Sequence, residues 1–315
     1  MSESAQAPAK GPAGTSAWAL PLLLLASIAG AQTAQITSFS KTGVLEWSVD
    51  TTNTWSGLEY TIDPDGPWGR DIGAYWNLHA TGHTHSIDID IEHIEGIDSL
   101  FLRVVCSSNN LLGEPFDLGS ESIPAFASSD YIDLAKIDCI SKFRSGIGHD
   151  YSDDFETCRS MKHYYHPGVT NWSEVGIFSP VAGNVYSMNE DNEGHMLLIQ
   201  SSEYPAFFFT LFHVAPTGTL HQGVIVTAGQ ALGTHYGNET TSDIAVGINS
   251  TGGWKQVSFF DVMMDGVFSA YTNRGVASRS AFIITEEVRD DDPLSCDEGG
   301  DFDDPGSLEN WVELD

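Results

Sequence analysis

Short segments of alternating apolar and polar residues dominate the first third of the chain. In residues 87–92, three isoleucines alternate with two aspartates and a glutamate, which is the pattern of a strand with one buried face and one acidic face. Residues 58–62 form another strand-like segment, and the Asp-Pro-Asp-Gly-Pro sequence at 63–67 is a strong turn signal. This pattern predicts a compact β-sandwich module over residues 32–106.

A second set of strand-like segments follows a region of different composition. Residues 107–129 are rich in Ser, Asn, Gly and Pro, which is typical of a linker. Apolar segments of strand length then recur from residue 175 to 285, and no sustained 3.6-residue periodicity accompanies them. We therefore predict an all-β protein whose second domain spans residues 130–285.

The N-terminus has the pattern of a secretion signal. A polar stretch with Lys10 precedes an apolar run of about a dozen residues that begins at Trp18, and small residues follow at 29–31. The run is shorter than the roughly 20 residues that span a bilayer. We predict a signal peptide at residues 1–31, cleavage near Gln32, a secreted protein and no stable membrane span after cleavage.

The net charge excludes one class of binding partner. The chain has 13 Lys and Arg residues against 44 Asp and Glu residues, for a formal net charge of −31. A protein that binds nucleic acid needs clustered cations to neutralise phosphates, so nucleic acid is excluded as a partner. Carboxylates are concentrated at residues 286–315, which we predict to be a solvated, partly disordered acidic tail.

Export changes the expected state of the four cysteines. In an oxidising compartment, an even number of cysteines usually forms disulfides. We expect Cys139 to pair with Cys158, because that bond closes a short loop, and Cys106 to pair with Cys296, because that bond ties the acidic tail to the domain junction.

The clearest candidate for chemistry is a His-x-x-x-Asp pair, His149 and Asp153. Imidazole and carboxylate are both zinc ligands, with bond lengths near 2 Å. In a straight strand the two side chains would lie about 13 Å apart, too far to share an ion, so a bend is required. Gly146 and Gly148, just before the pair, favour such a bend.

Four further motifs follow this pair in order. They are a Pro-x-x-Gly-x-Val hairpin, an apolar strand with a histidine near its end, a turn with three spaced glycines and a closing apolar strand, at 180–185, 207–214, 223–233 and 242–246. Over residues 143–248 this order resembles the lysostaphin-type, or LytM-like, zinc metallopeptidases. The resemblance implies a β domain of the duplicated-hybrid-motif type that holds zinc and cleaves peptide bonds of bacterial cell wall.

The same resemblance assigns roles to individual residues. It implies that His149 and Asp153 bind the metal and that His213 positions or stabilises the reacting group. The family's closing His-x-His has no match here: Asp243 stands in place of its catalytic first histidine, which makes it the second catalytic candidate beside His213, and Ala245 stands in place of its third zinc ligand. A catalytic zinc needs about three protein ligands and an open water position, and alanine offers none.

The sequence therefore does not identify the third metal ligand. Asp243 itself is one alternative, and a further histidine is another, with His163, His166 and His235 as the candidates. We hypothesise a catalytically eroded LytM-like protein that binds cell-wall peptide, polysaccharide or another extracellular polymer. The alternative is an active zinc peptidase with an unusual third ligand.

The N-terminal module has a looser resemblance of its own. The sequence Ile-Thr-Ser-Phe at 36–39, together with the segments at 43–47 and 66–68, is similar to small fibronectin-like accessory modules of secreted bacterial proteins. The resemblance implies a β-sandwich that either binds carbohydrate or separates the second domain from a surface.

Overall fold

The computed structural model describes the second part of the chain continuously and the first part in segments. The described residues are 25–26, 34–40, 44–49, 54–61, 69–70, 78–80, 84–88, 101–107 and 111–315. Apart from Leu25–Ala26, the predicted signal peptide lies outside them, and so does most of the predicted strand at 87–92. Along these stretches, no helix has the length and apolar composition needed to cross a bilayer.

The first part of the chain forms two sheets around one core. One sheet pairs β2 with β3 and β3 with β7, and the other is built around β4 and β8. Side chains from both sheets share the core, in which Leu45 and Trp47 of β3 meet Leu58 of β4 and Val104 of β8. The strands are β1 Leu25–Ala26, β2 Ala34–Phe39, β3 Val44–Val49, β4 Thr54–Thr61, β5 Gly69–Arg70, β6 Leu78–Ala80, β7 Thr84–Asp88 and β8 Phe101–Ser107.

The second part is a large, mainly antiparallel sheet, so the fold is all-β as the alternating patterns predict. Its main path runs β15, β12, β13, β14, β17, β10, β9, β19, while β11, β16 and β18 pair at its sides. The strands are β9 Ile137–Ser141, β10 His163–Pro167, β11 Gly176–Phe178, β12 Gly183–Asp191, β13 Gly194–Ser201, β14 Phe207–Pro216, β15 Ile225–Val226, β16 Ala231–His235, β17 Ser242–Ser250, β18 Gly253–Val257 and β19 Trp311–Glu313.

Short helices cover the sheet. Ser258 caps the N-terminus of α1 by accepting a hydrogen bond from the Phe260 amide, and Thr285 caps α3 through the Val288 amide. The α-helices are α1 Phe259–Val262, α2 Asp265–Thr272 and α3 Glu286–Asp291, and the 3-10 helices are Leu134–Lys136, Trp172–Glu174 and Arg279–Phe282.

Apolar side chains cover both faces of β14. Phe207, Phe209 and Leu211 belong to the main core, whereas Phe208 packs in a smaller cluster with Leu112. The predicted linker contributes to both clusters, since Phe116 and Phe126 are also buried in the main core. The structure thus places the later part of residues 107–129 within the second domain.

The acidic tail is folded, so the prediction of a partly disordered extension is wrong, although most of its residues are exposed to solvent. Strand β19 pairs antiparallel with β9, and α3 carries the fully buried Arg289. The Arg289 guanidinium donates hydrogen bonds to the carbonyl oxygens of Arg144 and Asp292. These buried contacts hold the tail although carboxylates dominate its composition.

The disulfide pairing also differs from the prediction. Cys158 bonds Cys296, with the two Cα atoms 5.8 Å apart. Cys139 lies half-buried on β9, and Cys106 is buried in the N-terminal core. Both predicted pairs are therefore wrong, because the folded tail brings Cys296 to a partner 138 residues earlier in the chain.

Candidate functional site

Strands β14 and β17 and two segments outside the strands bring charged and imidazole side chains together. Asp243 lies on β17, where its register partner on β10 is Tyr164, and Lys162 lies just before β10. The Lys162 ammonium is 2.7 Å from Oδ2 of Asp243, and His213 Nε2 is 3.3 Å from Oδ1. His149 Nε2 lies 3.3 Å from the same ammonium. We call Lys162, Asp243, His213 and His149 the lysine cluster.

A bulge in β14 turns two consecutive side chains toward this cluster. The register of β14 with β13 shifts at residues 212–213, and His213 has a φ of 55°, in the left-handed region that non-glycine residues rarely occupy. Bulges of this kind change the direction in which side chains point. Phe212 therefore packs on Lys162 while His213 contacts Asp243.

The Lys162 side chain lies in an aromatic cage and is only 3% exposed. Its ammonium is 4.8 Å from the ring centre of Tyr151, 5.0 Å from that of Tyr164 and 4.2 Å from that of Phe212. Aromatic faces attract cations, more strongly where water is excluded. The cage therefore supports a charged lysine inside the domain.

Charge interactions keep Lys162 and Asp243 ionised although both side chains are buried. Burial alone would raise the pKa of Asp243, but the Lys162 ammonium and His213 hold that pKa below the usual range. Burial alone would lower the pKa of Lys162, but Asp243 raises it above the ordinary lysine value. Burial likewise opposes protonation of His213, yet contact with Asp243 raises the pKa of its imidazole.

His149 presents a lone pair to the ammonium. Its Nδ1 is 2.8 Å from the carbonyl oxygen of Asp150. Because a carbonyl can only accept, Nδ1 carries the proton and Nε2 accepts from Lys162. The imidazole is thus a neutral acceptor facing a lysine.

Asp153 belongs to a different set of contacts. Its Oδ1 accepts hydrogen bonds from the amides of Phe155 and Glu156, both at 2.9 Å. Its Oδ2 accepts from the Gln256 amide at 2.9 Å and lies 3.2 Å from the Lys255 ammonium. His149 and Asp153, adjacent in the predicted motif, share none of these partners.

An ion-pair network surrounds Asp153. Glu156 is contacted by Arg144 at 2.6 Å, Arg159 at 2.8 Å and Lys255 at 3.0 Å. Burial opposes ionisation of Glu156, but the hydrogen bonds and charges of Arg144 and Lys255 lower its pKa to about 2. We call Asp153, Glu156, Lys255 and the two arginines the arginine network.

The alternative histidines have other surroundings. His163 is buried between the Ser141 carbonyl and the Ser258 hydroxyl, each 2.8 Å away, and burial lowers its pKa to about 4. His166 packs edge-on against Trp172. His235 is buried 6.4 Å from His213 between ring centres, with Nδ1 3.2 Å from the Gly237 carbonyl. None of the three contacts His149 or Asp153.

The residues present do not fit a zinc centre. A lysine ammonium faces His149 and Asp243, and Lys255 together with backbone amides engages Asp153. Within residues 111–315 and the shorter described segments, no three His, Cys, Asp or Glu side chains are placed to hold a metal ion. Ala245, on β17, offers no ligand atom.

A cleft of about 530 Å³ opens beside the lysine cluster. The two are adjacent, because Glu193 lines the cleft and its carbonyl oxygen lies 3.2 Å from His213 Nδ1. Tyr236, 45% exposed, adds an aromatic ring, and Glu239 adds a second carboxylate. The other lining residues are Ser173, Asn192, Ala215, Thr234, His235, Gly237, Asn238 and Thr240.

Sequence reasoning missed Lys162. The other three members of the lysine cluster were predicted: Asp243 and His213 as catalytic candidates and His149 as a metal ligand. One feature of the sequence could have identified it. Lys162 stands between Met161 and the aromatic strand β10, in a chain with few cations. A charged residue at such a position needs a buried partner.

Comparison with known proteins gives distant structural likenesses. No family model and no curated protein matches the chain. Csd3 from Helicobacter pylori is 11% identical, with a TM-score of 0.34 and 74% of each chain covered. A zinc-containing peptidase from Vibrio cholerae is 10% identical, with a TM-score of 0.30 and coverage of 73% of this chain and 85% of that chain.

Lysostaphin is similar at the same level. It is 13% identical, with a TM-score of 0.28, and the match covers 58% of this chain and 65% of the lysostaphin chain. Likenesses with TM-scores this low do not indicate what this chain does.

Proposed function

We propose that the chain is an exported binding protein whose LytM-like domain has lost peptidase chemistry and binds cell-wall peptide, polysaccharide or another extracellular polymer. One observation carries the proposal: each side chain that the peptidase hypothesis needs as a metal ligand is engaged by a protein cation or is missing. Lys162 faces His149 and Asp243, Lys255 faces Asp153, and Ala245 stands at the remaining position.

The cleft beside His213 is the proposed binding site. It combines an exposed tyrosine ring with carboxylates, amides and hydroxyls, which suit the hydroxyl and amide groups of sugars and peptides. No lysine or arginine stands among its lining residues in the described part of the chain. This chemistry favours a neutral or amine-bearing polymer over a polyanion.

Export is supported by two features. The apolar run followed by small residues near the N-terminus has the pattern of a signal peptide. The disulfide between Cys158 and Cys296 is typical of proteins that fold in an oxidising compartment.

Co-sedimentation of the purified protein with insoluble polymers tests the proposal. We expect binding to at least one of purified peptidoglycan, chitin or cellulose, unchanged by EDTA and without release of soluble fragments. Tyr236→Ala and Glu239→Gln should reduce the bound fraction. Ile225→Ala and Glu203→Gln, at exposed positions outside the cleft, are the matched controls. Release of fragments that stops with EDTA would support the peptidase alternative instead.

A further inference from the structure

The Lys162 ammonium is shielded from water, so solvation does not explain why a cation occupies this position. Its side chain is almost fully buried, and removing an ammonium from water is unfavourable unless partners compensate. The partners are a carboxylate, an imidazole lone pair and three aromatic faces. All of these groups favour a positive charge at one point.

We infer that the Lys162 ammonium is a built-in cation that replaces a metal ion in the lysine cluster, and that exchanging it for a ligand side chain turns the cluster into a divalent-metal site. The inference concerns only this cluster, and it holds whether or not the cleft binds a polymer.

The geometry around the ammonium carries the inference. His149 Nε2 and Asp243 Oδ2 both point at Lys162 Nζ, at 3.3 Å and 2.7 Å. A neutral imidazole nitrogen and a carboxylate oxygen are ligands that zinc takes, at the shorter distance of about 2 Å. The hydrogen bond from Nδ1 of His149 to the Asp150 carbonyl orients the ring, as bonds outside a metal's own ligands do in zinc sites.

Lys255 neutralises a second carboxylate in the same way. Lys255 lies 3.2 Å from Asp153, the other carboxylate predicted as a ligand. Both carboxylates are thus balanced by lysines that belong to the chain. These two aspartates are therefore neutralised without an added ion, and the stability of the domain should not depend on metal.

Lys162→His tests the inference directly, because the new imidazole would be a third ligand between His149 and Asp243. The wild-type protein and the variant are stripped with EDTA and titrated with Zn²⁺, and bound metal and the thermal midpoint are measured. We expect the variant to bind one zinc ion per chain and to gain stability with zinc concentration. The wild-type protein should bind none and keep its midpoint in EDTA.

Two further variants keep the test decisive. Lys162→His combined with His149→Ala removes a ligand and should lose zinc binding. Lys255→His, beside Asp153, controls for a histidine placed near any buried carboxylate and should gain no site, because Asp153 is already engaged by backbone amides. The inference is overturned if Lys162→His binds no zinc, if it fails to fold even with zinc present, or if the purified wild-type protein carries stoichiometric zinc that stabilises it.

Two different measurements separate failure of the inference about Lys162 from failure of the proposed function. Polymer co-sedimentation of the wild-type protein reports on the cleft alone, and zinc titration of the Lys162→His variant reports on the lysine cluster alone. A wild-type protein that binds polymer and also contains zinc would refute the inference about Lys162 and leave polymer binding by the cleft standing.

Discussion

Asp153 and Asp243 are both buried aspartates that face a lysine, but they are stabilised in different ways. Asp153 has three backbone amides as donors and lies in the arginine network, where several cations share two carboxylates. Asp243 depends on one ammonium and one histidine. The first arrangement distributes its interactions, whereas the second depends mainly on a single side chain, so loss of one residue should have different consequences in the two places.

Lys162→Met should have the largest effect. It leaves the Asp243 carboxylate buried without its main counter-charge, and breaking a buried ion pair in this way costs about 3–5 kcal/mol. Urea unfolding measures the change. Lys162→Met combined with Asp243→Asn removes both charges and should recover much of the loss, so a double variant no more stable than Lys162→Met would refute the pairing.

Glu156→Gln should have the second largest effect, since it removes one carboxylate from three cations. We expect a loss of about 2 kcal/mol, the scale of hydrogen bonds to charged groups. The pKa of Glu156 falls from 4.5 to about 2 on folding, so its contribution is present above pH 4.5 and is lost as the pH falls toward 2. Acid titration of stability should be flatter for Glu156→Gln than for the wild-type protein.

Asp153→Asn should cost less than Glu156→Gln. The asparagine oxygen can still accept the amides of Phe155 and Glu156, but the NH2 group that replaces Oδ2 cannot accept from the Gln256 amide, so that hydrogen bond and the contact with Lys255 are lost. We expect about 1 kcal/mol in urea unfolding, within the range of single hydrogen bonds. Metal content should not change, and a fall in bound zinc on this substitution would contradict the assignment of Asp153 to the arginine network.

His213→Gln should have the smallest effect on stability but a distinct pH dependence. Folding raises the pKa of His213 above 6.5, so its stabilising contribution is complete below pH 6.5 and disappears as the pH rises through the folded value. Between pH 6 and 8 the wild-type protein should lose stability relative to His213→Gln. Equal slopes for the two proteins would show that His213 and Asp243 do not interact.

The class of fold could be predicted because strand patterning is local. Alternating residues such as Leu45, Trp47 and Val49 are buried on β3 as their spacing requires. The state of the tail could not be read in the same way. Its acidic composition indicated solvation, whereas Arg289, Cys296 and Trp311 each make contacts with distant parts of the chain.

The candidate site was predictable only in part. Motif order selected His149, His213 and Asp243; the structure places His149 and Asp243 against one ammonium and His213 against Asp243. The same motif paired His149 with Asp153, and their separation into different networks depends on the path of the chain between them. Lys162 was not selected because a lysine's role depends on its buried neighbours, which sequence spacing alone does not specify.

Strand β19 has a consequence for incomplete chains. It is the outermost strand of the large sheet, and it covers β9, which precedes it by some 170 residues in sequence. A chain that ends before residue 311 leaves β9 with unpaired backbone groups at an open edge, where strands of other molecules can add. A chain truncated before β19 is therefore expected to aggregate or to be degraded more readily than one that contains this strand.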